Sequence, residues 1–208
     1  MKAIMYLDYW QLDCKPFDEI CETQSDSLSE AQRAAVRKLR YVVESRRSAS
    51  LVAGPAGVGK TMVVETLQQE LGDSCGPFVH IVFPQMPQRD LLAYLAERLG
   101  APQVSAPQRT VDESLRRIET LFAGVAEDSP HSVVVVDEAH LLEDGVLLEP
   151  LRLLLNLRAK SHPAFTLVLC GQLELPAIVG RYGALEERVD VKVLLPAFSA
   201  EETAAYIA

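Results

Sequence analysis

Gly54-Pro55-Ala56-Gly57-Val58-Gly59-Lys60-Thr61 is the stretch that decides the fold. It is a complete GxxxxGK[ST] loop. An apolar run, Ala49-Ser50-Leu51-Val52-Ala53, precedes it, and Met62, Val63, Thr66 and Leu67 follow in a helical pattern. Strand, glycine-rich loop and helix, in that order, are what phosphate binding needs. The glycines let the backbone turn its N–H groups inward around a phosphate. The helix adds its unsatisfied N-terminal N–H groups and its positive dipole end. Gly54, Pro55, Ala56, Gly57, Val58, Gly59, Lys60, Thr61 and Met62 are therefore expected to contact a nucleoside triphosphate. Lys60 has the reach and charge for the β- and γ-phosphates, and the Thr61 hydroxyl suits Mg2+.

A second acidic element follows about 80 residues later. Four valines, Val133 to Val136, run into Asp137-Glu138-Ala139-His140. An acidic pair at the end of a buried apolar strand is the Walker B arrangement. Asp137 would hold Mg2+ through its water shell, and Glu138 would polarise the water that attacks the γ-phosphate. With the loop alone the sequence implies binding; with this pair it implies hydrolysis. The DEAH string also occurs in helicases, but no QxxGRxGR motif is present and the chain has no room for a second motor domain. His140 either contacts a neighbouring polar group or is exposed.

Around these motifs the chain alternates strand and helix. Strands are expected near 49–53, 78–83, 132–137, 165–170 and 189–194, and helices near 60–71, 88–99, 110–126, 144–159 and 199–207. Ser27 or Ser29 caps an earlier helix over about 29–46, with Ala31, Ala35, Val36, Leu39, Val42 and Val43 on its inner face. The strands read as near-continuous apolar runs, as central parallel strands covered on both faces do. The expected fold class is α/β: a three-layer α/β/α P-loop NTPase with a central parallel five-stranded sheet. Residues 1–27 form an aromatic-rich arm expected to pack on a core of 28–197.

The sheet order expected of such a fold places the 165–170 strand beside the loop strand. Gln172, just past it, then either senses the γ-phosphate and attacking water or simply opens a turn. Asn156 either faces the nucleotide edge or is an ordinary polar helix residue. Arg188, just before the last strand, is the first candidate for an arginine finger supplied to a neighbouring subunit, with Arg181 second. Each is otherwise a surface arginine.

Composition sets the outer bounds. The 208 residues are 49% hydrophobic and carry a net charge of −9. That balance argues against DNA binding by the whole surface, which needs clustered Lys and Arg. The densest basic run is Arg33, Arg37, Lys38, Arg40, Arg46 and Arg47, and its simplest reading is a solvated helix face. Cys14, Cys21, Cys75 and Cys170 form no CxxC pair, so no zinc site or disulfide framework is implied, and a reducing cytoplasm fits. No stretch reaches the ~20 apolar residues of a membrane span. No NKxD-type guanine-reading motif is present, which makes ATP the default nucleotide.

The opening Tyr6-Leu7-Asp8-Tyr9-Trp10-Gln11-Leu12, followed by Lys15-Pro16-Phe17, resembles that of the general secretion pathway protein A (ExeA-type) ATPases. The later motifs match in order: the phosphate loop, the acidic pair with Leu141-Leu142, residues 151–157, Gly171-Gln172-Leu173-Glu174-Leu175, and residues 186–207. The resemblance covers essentially the whole chain. It implies an AAA+ ATPase of the subgroup that includes transposition regulators, with Gln172 at a sensor position and Arg188 as the finger. Glu187 stands where the family has Gln, and Leu173 where it has Pro. Family members continue into a helical lid, so residues 198–208 are expected to begin one, with the remainder truncated. The implied role is a homo-oligomer, assembled through its Arg188 side, that uses ATP and Mg2+ to remodel or assemble partner proteins in secretion or cell-envelope biogenesis, in the cytoplasm or at the inner membrane through partners. A DNA-associated regulator of transposition and a nucleotide switch with negligible turnover are the rival readings.

Overall fold

The computed structural model of the chain describes residue 9 and residues 28–82, 84–105, 110–126, 128–142 and 148–207. The expectation for the N-terminal arm falls outside these, apart from Tyr9. Helix α1 spans Glu30–Glu44, and Ser29 caps it, not Ser27. The Ser29 hydroxyl accepts the Gln32 N–H, and the Gln32 side chain accepts the Ser29 N–H, a reciprocal capping box. Next come β1 (Ala49–Ala53), α2 (Lys60–Leu71), β2 (Cys75–Ile81), α3 (Gln88–Leu99) and α4 (Val111–Ala123). They are followed by β3 (His131–Val136), a 3-10 turn (Ala139–Leu142) and α5 (Leu148–Leu154). A two-stranded hairpin, β4 (Arg158–Ala159) and β5 (His162–Pro163), leads into β6 (Phe165–Gly171). Helices α6 (Leu175–Gly180) and α7 (Gly183–Glu186), strand β7 (Val189–Leu194) and helix α8 (Ala200–Ile207) complete it.

The large sheet has five strands in the order β2-β3-β6-β1-β7, every neighbouring pair parallel. The loop strand β1 lies directly against β6, as expected. Successive residues of the central strands point to opposite faces. Val134 and Val136 of β3, with Leu167 and Leu169 of β6, enter one core with α3, α4, α5 and α6. Val133, Val135, Val168 and Cys170 enter a second core with α1 and α2. Two apolar faces on one strand require an apolar residue at nearly every position, which is why these strands show no alternation in sequence.

The expected helix over 144–159 is corrected. The described helix there is only Leu148–Leu154, and the chain then turns into the antiparallel β4–β5 hairpin. The run Leu153-Leu154-Leu155-Asn156-Leu157 is apolar enough to continue a helix on composition alone. A short apolar run does not distinguish helix from other buried backbone. What ends the helix is tertiary: the Ala164 N–H bonds the Leu157 carbonyl as the hairpin closes, and Lys160 takes a left-handed φ of 57° in its turn. Strand β2 begins at Cys75, three residues earlier than expected.

At the start of β3, the His131 side chain is half-buried. The Thr166 hydroxyl donates to the Arg47 carbonyl at 2.7 Å, so it accepts from His131 Nε2–H at 2.9 Å, and the ring is neutral with its proton on Nε2. Burial first, then the charges of Arg46 and His162, push its pKa down to about 4. The unfolded chain therefore binds a proton at a pH where the folded chain does not. The stability this gives is complete above pH ~6.5 and is lost as pH falls toward 4, on the order of 3 kcal/mol in all. His131→Gln keeps an N–H donor but cannot titrate. Urea unfolding should show a larger loss of stability from pH 7 to pH 4.5 in the wild type than in this variant; equal losses would refute the assignment.

Candidate functional site

The phosphate loop leaves the end of β1 and is fixed from three sides. The Gly54 N–H donates to the Gly171 carbonyl at the end of β6, and the Leu195 N–H past β7 donates to Ala53 O. A Cβ on Gly54 would lie 2.6 Å from the Leu195 carbonyl oxygen, so this approach requires glycine. Gly57 and Gly59 have φ of 79° and 81°, the left-handed region where side chains are strained. From Gly59 the chain enters α2, whose first residue is Lys60. Lys60 is 6% exposed, and its ammonium donates to the loop carbonyls of Gly54 (3.1 Å) and Pro55 (2.9 Å). These carbonyls hold the ammonium charge at the loop.

The third support was not legible in the loop itself. Gln32, 2% exposed, sits in the first turn of α1 and donates its Nε2–H to the Val58 carbonyl at 3.0 Å. A Cβ on Gly59 would lie 2.5 Å from that nitrogen. The same amide closes the Ser29 capping box, so one side chain joins the start of α1 to the crown of the loop. The Ser29-to-Gln32 spacing is the sequence signal for the cap; its second partner is tertiary.

Asp137 lies just past β3 and is 2% exposed. Its Oδ2 accepts the Thr61 hydroxyl at 2.8 Å, and its Oδ1 accepts the Glu138 N–H at 2.9 Å. His80 of β2 brings its Nε2 to 3.5 Å from Oδ2. Burial alone would raise the Asp137 pKa; the approach of His80, the Thr61 hydroxyl and the Glu138 N–H outweigh it and hold the carboxyl below its ordinary value. Sequence reading did not find His80, because only the β2–β3 pairing brings it beside the acid. Glu138 has a φ of +50°, a strained conformation for a residue with a Cβ. Thr61 and Asp137 supply two hard oxygen donors side by side at the loop, which fits Mg2+ held jointly with nucleotide phosphates and water. Among the described residues no group of three or more His, Cys, Asp or Glu is placed to hold a metal without a nucleotide.

The other candidates divide between the two ends of the sheet. Gln172 is half-buried where β6 ends, next to the loop, and its N–H reaches His140 Nδ1 at 3.4 Å. His140 thus contacts neighbouring polar groups. Arg188 precedes Val189, which pairs with Ala49 at the start of β1, while the loop begins after Ala53 at its end. Arg188 is therefore one strand length, roughly 15 Å, from its own loop. It donates to the Leu155 carbonyl at 3.0 Å and to the Asn156 side-chain oxygen. Asn156 accordingly lies with Arg188, away from the nucleotide edge. Arg181 is exposed after α6.

Arg33, Arg37, Lys38 and Arg40 form a solvated face of α1, as expected, but Arg46 and Arg47 lie past its end, and half-buried Arg46 donates to the Ser129 carbonyl. Arg33 and Arg37 pair with Glu30, Arg40 with Glu44 and Glu70, and Arg47 with Asp190. Cys170 is fully buried, and burial pushes its thiol pKa up. Cys75 is half-buried, and its thiol is shifted the same way. Among the described residues no helix is long and apolar enough to cross a membrane.

A family model for an AAA domain matches residues 43–179. The chain belongs to the AAA domain family. The match spans both Thr61 and Asp137, so the loop and acidic strand end are parts of one AAA nucleotide fold. No curated protein matches the sequence at a significant level. Solved AAA-type structures share the fold. The Aeropyrum pernix ORC2 protein in its ADPNP–ADP complexes is 16% identical at a TM-score of 0.64, over 92% of this chain and 54% of that one. The Aeropyrum pernix ORC1 protein in complex with DNA is 17% identical at 0.63, over 87% and 49%. Drosophila ORC bound to DNA is 20% identical at 0.63, over 85% and 45%. The chain spans about half the length of these structures.

Gln32→Ala removes two hydrogen bonds and leaves the Val58 carbonyl buried without its donor. It should cost about 1–3 kcal/mol in urea unfolding and weaken binding of a fluorescent ATP analogue. Unchanged nucleotide affinity would remove Gln32 from the support of the loop.

Proposed function

We propose that this AAA domain binds and hydrolyses ATP with Mg2+. The observation that carries the reading is the 2.8 Å hydrogen bond from Thr61 to Asp137, which joins the phosphate loop to the acidic strand end. Lys60 and the loop N–H groups hold the phosphates, Thr61 and Asp137 hold the cation, and the cation neutralises phosphate charge when bound. Glu138 accepts the proton of the attacking water, and Gln172 stands where a neutral side chain orients that water or reads the γ-phosphate.

Lys60→Ala should abolish nucleotide binding. Glu138→Gln should retain it while kcat falls by about 10²–10⁴, the pattern of stabilisation lost only in the transition state. ATP titration followed by phosphate release checks both. Wild-type turnover in Glu138→Gln would end the assignment of the base, while ATP binding without phosphate release in the wild type would favour a switch over an ATPase.

Arg188 acts on a neighbouring copy. Its distance from its own loop supports that reading, since an arginine side chain reaches only about half of one strand length. Arg188→Ala should therefore lower turnover at protein concentrations where copies associate and leave dilute turnover unchanged. A loss that does not depend on concentration would assign Arg188 a role within one copy.

The motifs shared with ExeA-type ATPases support remodelling or assembly of protein partners in secretion or envelope biogenesis. A DNA-associated role is the second reading, favoured by fold likeness to proteins solved in complex with DNA. The pairing of the α1 arginines with carboxylates counts against it in a single copy. ATPase activity with and without duplex DNA separates the two: stimulation supports the DNA reading, and indifference supports the protein-partner one.

A further inference from the structure

His140 touches both halves of the site. Its Nδ1 accepts the Gln172 N–H at 3.4 Å, and its Nε2 lies 3.5 Å from Glu138 Oε2. The side chain is 14% exposed. It fits because residue 171 is glycine: a Cβ there would stand 3.1 Å from the His140 backbone nitrogen and 3.3 Å from Nδ1. Acceptance at Nδ1 settles the neutral tautomer, with the ring proton on Nε2 and facing the carboxylate. Glu138 needs such a partner. Its side chain is 41% exposed, so packing does not set its rotamer, and its backbone is held at a φ of +50°.

We propose that His140 is a positioning residue for hydrolysis, its Nε2–H holding the Glu138 carboxylate in place and tying it to the backbone at the end of β6. This rests on Glu138 being the base. The ring accounts for the fourth residue of the DEAH string without a helicase. It gives the end of β6, where Gln172 stands, a direct mechanical link to the base. A shift of that strand end moves the ring, and the ring moves the carboxylate.

Two isosteric substitutions separate the ring's two nitrogens. The carboxamide of Gln reaches the Nε2 position and preserves a donor toward Glu138, while losing the acceptor for Gln172. The carboxamide of Asn reaches only the Nδ1 position and does the reverse. In the full chain, His140→Ala should lower kcat by about 10- to 100-fold, as misplacement of a catalytic group does. KM, the affinity for an ATP analogue and Tm should stay near wild type. His140→Gln should keep most of the activity, and His140→Asn should match His140→Ala. A wild-type-like Asn variant with an impaired Gln variant would overturn the proposal, leaving His140 a support for the Gln172 backbone. Loss of affinity and Tm in proportion to kcat, or wild-type rates in all three variants, would overturn it too. Glu138→Gln is the control: if it is inactive while the His140 variants are normal, only this inference fails; if it turns over normally, the base assignment fails as well.

Discussion

The hydrogen bond between Thr61 and Asp137 is the contact on which the rest depends. A carboxylate exposed to only 2% is costly to bury without partners. Asp137 obtains them from elements far apart in sequence: the Thr61 hydroxyl from the first turn of α2, the Glu138 N–H from its own turn, and His80 from β2. Each can arrive only if β1, β6, β3 and β2 run parallel with their C-terminal ends level. The register provides this, since Ala53 pairs with Gly171, Val136 with Leu169, and Ile81 with Val136. The two cores that grip opposite faces of these strands fix that register. Slipping one strand by one residue would send Leu167 and Leu169 into the wrong layer.

The parts of this arrangement that were legible in the sequence are those governed by local chemistry. The loop glycines specify their own backbone, the buried strands announce themselves by unbroken apolar runs, and Asp137-Glu138 marks a strand end by abrupt polarity. The neighbouring position of β6 and β1 follows from the fold class once the loop is recognised. Gln32 and His80 were not legible because each acts through a partner brought near by tertiary structure. Gln32 reads as a capping residue, which it is, and nothing local reveals that the same amide also holds Val58. The end of α5 was misjudged for a related reason. Leu155 after it is buried and Leu157 half-buried, so their apolar character could not decide between helix and turn, and the hairpin hydrogen bond could.

The sheet also separates functions by direction. The phosphate loop, Asp137 and Glu138 stand at the C-terminal strand ends, while Arg188 and Asn156 stand at the N-terminal ends. On the proposed reading this is a geometric reason for association. A positive charge that must approach the transition state cannot cross its own sheet, so it serves another copy. In the structure Arg188 is meanwhile held by Leu155 O and Asn156, at the point where α5 gives way to the hairpin. The turn that ends α5 ahead of the hairpin therefore presents the groups that hold this arginine.

Backbone strain points the same way. Among the described non-glycine residues, positive φ occurs at Arg46, Glu138 and Lys160. Arg46 and Lys160 lie in tight connections, between α1 and β1 and within the hairpin, where chain reversal accounts for them. Glu138 ends no hairpin. Such a conformation costs of order 1–3 kcal/mol and persists only when its surroundings over-determine it. Those surroundings are the buried carboxylate that captures the Glu138 N–H on one side and the His140 ring on the other. If Glu138 relaxed to an ordinary φ, its side chain would swing about its N–Cα bond and its carboxylate would leave His140. The strain is thus the local cost of aiming two adjacent acids in different directions, Asp137 toward Thr61 and Glu138 toward the end of β6.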